Sequence, residues 1–141
     1  MYINLLLCIV IFFKVNAVDV FGQSPLHYAC MTPSETVNYR FLTDAILYEE
    51  IDLNLIDQIS AKIAAALICV GCQVTIKNRQ GKSPLDYATQ NKEKLPKTYQ
   101  VLHAGYIKEE FARQASHLIQ VYPNEMLALQ NALGVLDHYR K

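Results

Sequence analysis

The sequence predicts an all-α fold, a short solenoid of helix-turn-helix repeats followed by a C-terminal helical pair. Three observations predict it. A stretch of eleven residues occurs twice, as Asp19–Ala29 and as Asn78–Ala88, with glycine, serine, proline, leucine, tyrosine and alanine at matching places. Further along from each copy, an apolar stripe at helical spacing ends at a glycine, Gly71 or Gly105. Of 141 residues, 52% are hydrophobic and 18% charged, which suits one domain with a core and excludes a disordered chain. Thirteen basic residues balance thirteen acidic ones, so the footprint of a nucleic-acid binder is missing. Four cysteines are too few for a scaffold built on disulfides.

The chain opens on an apolar run, Ile3 to Phe13, interrupted only by Asn4. A helix needs about 20 apolar residues to cross a bilayer, so no stable membrane span is expected. Two readings of residues 1–17 stand side by side. The run has the length of a signal-peptide core, and Val15-Asn16-Ala17 offers small residues at the cleavage positions, although Lys14 intervenes and no basic residue precedes the run. The other reading is the buried helix of an incomplete repeat. The first places the protein outside the cell and the second in the cytoplasm.

Each residue type in the repeated stretch has a local reason. Gly22 and Gly81 permit the positive φ of a tight turn tip. Asp19 and Asn78 accept backbone hydrogen bonds across that turn. Ser24 and Ser83 cap a helix, and Pro25 and Pro84 take its first position, where a missing N–H costs nothing. Leu26, Ala29, Leu85 and Ala88 recur at helical spacing and face a core. His27 is read as structural, tying Ser24 or the adjacent loop.

Ser24-Pro-Leu-His-Tyr-Ala29 and Ser83-Pro-Leu-Asp-Tyr-Ala88 resemble the Thr-Pro-Leu-His-x-Ala signature of the ankyrin-repeat family. The resemblance implies paired helices joined by projecting turns, with a period of about 33 residues. Ser24 and Ser83 stand 59 residues apart, so one repeat carries an insertion of about 26 residues. Gly71, ten residues before Gly81, marks the end of a second helix read as Lys62–Val70. Gly105 marks the end of the next, Lys97–His103. The repeats then run 18–72, with the insertion at about 33–59, and 73–105. A long insertion inside one repeat, followed by Ile63-Ala-Ala-Ala-Leu-Ile-Cys-Val-Gly71 and Val74-Thr-Ile-Lys-Asn-Arg-Gln-Gly-Lys-Ser-Pro-Leu-Asp86, looks like the last ankyrin repeat of mind-bomb-type ubiquitin ligases. That group continues into zinc-binding RING modules, and no cysteine follows Cys72 here. Ligase activity is therefore not carried over, and a substrate-recognition fragment is as far as this resemblance reaches.

Within the insertion, Thr36–Glu50 shows helical spacing, while Ile51, Leu53 and Leu55 alternate with Asp52 and Asn54 as an extended piece. Glu49, Glu50, Asp52 and Asp57 read as a solvated acidic face. In the tail, 106–141, one helix is expected over Tyr106–Tyr122. Pro123 then breaks it, Asn124 caps a second helix, and Met126, Leu129, Leu133 and Leu136 form that helix's stripe. The pair is expected to cover the open end of the solenoid.

Cys69-Val-Gly-Cys72 lacks the second ligand pair of a zinc site, and Cys69 ends a helix instead of following a strand. Both cysteines read as small core residues, and no metal or other cofactor is expected. No phosphate loop or nucleophile motif occurs. The expectation is a non-enzymatic module whose partner is another protein. No nucleic acid and no small-molecule substrate are expected. Binding is assigned to the turn tips, Phe21, Gln23, Arg79, Gln80 and Lys82. A secreted ankyrin protein is the alternative.

Overall fold

The computed structural model describes residues 16–37, 52–115 and 123–140. Among them it has six helices and no strand, so the all-α class holds. The helices are α1 (Pro25–Ala29), α2 (Pro33–Val37), α3 (Leu53–Cys69), α4 (Pro84–Gln90), α5 (Pro96–Ala115) and α6 (Pro123–Arg140). The apolar run Ile3–Phe13 lies outside the described residues, and so do residues 38–51 of the insertion. No described helix is long and apolar enough to cross a membrane.

Two turn-and-helix units organise the molecule. In the first, α1 packs against α3, and in the second α4 packs against α5. The units meet where α1 touches α4 and α3 touches α5. The core runs through that junction, with Leu26, Met31, Leu67, Val101 and Leu102 all 2% exposed or less. Ala61, Ala64 and Ala65 put small side chains on the buried face of α3, and small side chains let neighbouring helices approach closely.

The expected second helix of the first unit begins well before Lys62. α3 starts at Leu53, and the Asp52 carboxylate accepts from Asn54 N–H at 3.1 Å and Leu55 N–H at 3.3 Å. A five-residue alternation is shorter than two helical turns, so the capped helix took the segment read as extended. Its inward residues Asp57, Ser60, Ala61, Ala64 and Ile68 keep helical period.

The acidic segment is not simply a solvated face. Asp57 is only 3% exposed. Its carboxylate accepts from Lys97 N–H at 3.0 Å, from Thr98 N–H at 2.9 Å and from the Thr98 hydroxyl at 2.9 Å. It therefore satisfies the first free donors of α5 from a different helix.

Gly105 does not end a helix. α5 runs unbroken from Pro96 to Ala115. A Cβ on Gly105 would lie 2.7 Å from Ile68 Cδ1 and 3.1 Å from Val74 Cγ1. The missing side chain serves close packing against α3, and a boundary at 105 corresponds to no break in the backbone.

The tail also packs differently from expectation. α6 lies on both α5 and α3, the long helices of the two units, instead of standing as a cap on one end. It turns Ala132 and Leu136 inward, with Leu129, Val135 and Tyr139 half-buried. Met126 and Leu133, half of the expected stripe, are exposed. Pro123 is the first residue of α6 and Asn124 lies inside the helix, where it is not a cap.

Candidate functional site: the paired turn tips

The two turns are built alike. Asp19 Oδ1 accepts from Phe21 N–H and Gln23 N–H, both at 2.9 Å. Asn78 Oδ1 accepts from Gln80 N–H and Lys82 N–H, both at 2.9 Å. Each turn also closes through a backbone–backbone bond. Gly22 N–H donates to Asp19 C=O at 3.0 Å, and Gly81 N–H donates to Asn78 C=O at the same distance. A tyrosine from the following helix completes each turn. Tyr28 donates its hydroxyl proton to Asp19, and Asn78 donates to the Tyr87 hydroxyl at 2.9 Å.

The caps behave as their residue types require. His27 N–H donates to Ser24 Oγ at 3.4 Å, and Ser24 N–H donates to His27 Nδ1 at 2.9 Å. In the second copy Asp86 does the same work, its carboxylate accepting from Ser83 N–H at 2.8 Å. Each serine and its third helical residue thus satisfy one another reciprocally. Pro25 and Pro84 open their helices. Leu26, Ala29 and Ala88 are buried, and Leu85 is half-buried.

His27 fastens the two units together. Nδ1 accepts from Ser24, so the proton lies on Nε2, which donates to Lys82 C=O at 3.0 Å. Burial holds the imidazole pKa below its usual value, opposed by the Lys82 carbonyl. The ring is neutral and occupied on both nitrogens, which leaves neither free to move a substrate proton.

Three further contacts hold the tips in register. Arg79 N–H donates to Phe21 C=O at 3.1 Å, and Asn78 donates to Gln23 Oε1 at 3.2 Å. Gly22 sits so close that a Cβ there would lie 2.9 Å from Arg79 N. With φ at +76°, Gly22 meets both the conformational and the steric demand for glycine.

Of the five expected contact residues, four stand on the surface. Phe21 is 38% exposed, and Arg79, Gln80 and Lys82 are exposed. Gln23 is not a contact residue, for it is 2% exposed with its carbonyl bonded to Asn78 across the junction. Local sequence predicts a turn residue there, and it is the neighbouring turn that buries it. The structure adds Val18 (52% exposed), Val20 (68%) and the exposed Lys77 to the same edge.

Elsewhere the described residues include no group of three or more His, Cys, Asp or Glu that could hold a metal. Cys30, Cys69 and Cys72 form no disulfide with one another. Burial pushes the Cys72 thiol up to about 12 and raises Cys30 well above its ordinary value, so both remain protonated at neutral pH and are poor nucleophiles. The chain matches no family model, no curated protein and no solved structure.

Proposed function

We propose that the chain is a non-catalytic protein-interaction module of the ankyrin-repeat kind, binding another protein along its paired turn tips. The observation that carries this reading is the join between the turns. Arg79 N–H to Phe21 C=O and His27 Nε2 to Lys82 C=O place two projecting tips side by side as one edge. Beneath it, the capping network and the buried leucines and alanines are occupied with the fold. Phe21, Arg79, Gln80 and Lys82 stand exposed at the tips. A rigid edge loses little conformational freedom on binding, which favours a specific interface.

The test uses the full chain as bait in an extract of its source. Arg79→Ala with Lys82→Ala should remove a captured protein partner. The melting temperature should stay within about 3 °C, because surface substitutions away from caps and cores change stability little. A large fall in melting temperature would assign these residues to the fold, and unchanged capture would move the interface elsewhere.

A further inference from the structure

We propose that the segment bound at the turn tips is an acidic peptide stretch carrying aliphatic or aromatic side chains. This rests on the interaction-module reading and names the chemistry of the partner. Two properties of the edge decide it. The first turn presents Val18, Val20 and Phe21 to solvent. The second presents Lys77, Arg79 and Lys82, all exposed. The backbone bond from Arg79 to Phe21 fixes the apolar strip against the cationic one.

The cations are not there to balance neighbouring acids. Lys77, Arg79 and Lys82 form no ion pair among the described residues. The acidic side chains of the two turn-and-helix stretches, Asp19 and Asp86, are engaged by the fold. Asp19 accepts from Phe21, Gln23 and Tyr28, and Asp86 accepts from Ser83. Residues 77–82 contain three basic side chains and no acidic one within a chain of zero net charge, so this turn is electropositive. Opposite charge on a partner speeds encounter and fixes register, while desolvated apolar contact supplies affinity. Nucleic acid fits less well. Phosphates would use the three cations but leave Val18 and Val20 without a role, and the single ring of Phe21 is a poor stacking platform.

A random peptide library displayed on phage and panned against the full 141-residue chain tests this. Enriched peptides should combine Asp or Glu with Leu, Ile, Phe or Tyr. Synthesised with a fluorescent label, they should bind more weakly as salt rises. Lys77→Glu with Arg79→Glu should weaken them about tenfold or more, and Phe21→Ser should do so by a similar factor. Circular dichroism melts of the variants show that each still folds. Neutral or basic peptides that lose binding in the same variants would overturn the acidic assignment and leave the interaction-module reading standing. Peptides indifferent to every tip substitution would overturn the assignment of the edge. Failure to enrich any peptide, together with binding of single-stranded oligothymidylate that depends on Lys77 and Arg79, would overturn both readings.

Discussion

Gly22 shows how much one residue can be asked to do. A side chain there faces a left-handed backbone and a second turn whose Arg79 nitrogen is 2.9 Å from the new Cβ. Gly22→Ala should cost about 2 kcal/mol, read as a lowered urea midpoint. The equivalent Gly81 also has positive φ, +79°, but no atom within 4 Å, so Gly81→Ala should cost less. Equal losses at the two sites would show that turn geometry alone matters. His27 adds a pH dependence. Its folded pKa lies below the ordinary 6.5, so the unfolded chain binds the extra proton first as pH falls. This contribution to stability is present above pH 6.5 and is lost as pH falls from there through the folded value. Melting temperature should therefore drop between neutral and mildly acid pH, and His27→Gln should flatten that drop while lowering stability at neutral pH. At this scale the sequence is most readable. Asp19, Gly22, Ser24 and Pro25 act through bonds within a few residues, whereas Gln23 is buried by Asn78, a partner 55 positions away that no local pattern announces.

Element boundaries were legible where caps and turns set them and illegible where packing did. α1 and α4 begin at their serine-proline pairs. α3 and α5 extend beyond their expected ends, because Asp52 caps one early and Gly105 does not stop the other. A glycine after an apolar stripe can end a helix or let a second helix approach, and only the position of Ile68 decides between them here. Asp57 is the sharper lesson. An acidic residue in an acidic stretch looks solvated, yet this one is buried as a cap on another helix. Asp57→Ala should cost about 2 kcal/mol, since it strands the Lys97 and Thr98 N–H donors that the carboxylate now satisfies. Thr98→Val should then cost less in the Asp57→Ala background than alone, because its bond to the carboxylate is already gone and only the longer bond to the Asp57 carbonyl, 3.4 Å, is left to lose. Additive losses in urea denaturation would mean that Thr98 and Asp57 act independently.

For the whole molecule, the open matter is how two short units hold together. A stack of helical repeats is stabilised by interfaces between neighbours, and stable stacks usually need three repeats or more. Here α6 adds a third layer, touching α3 of the first unit and α5 of the second. Its expected stripe of Met126, Leu129, Leu133 and Leu136 is consistent with more than one helical face, and sequence could not choose the neighbour it would meet. The structure chooses Leu129, Ala132 and Leu136, with Val135 and Tyr139 beside them, and Tyr139 donates to Gln100 on α5 at 3.0 Å. A helix shared by two units couples their unfolding. Leu136 is 2% exposed, so Leu136→Ala should cost about 3 kcal/mol, with the loss falling on both units at once. Leu127, exposed on the same helix, should change to alanine with almost no effect. The tyrosine signal and the helical circular dichroism signal should both shift to lower urea in Leu136→Ala while remaining superimposed. Two separated transitions in that variant would show that the units unfold independently and that α6 rests on them without joining them.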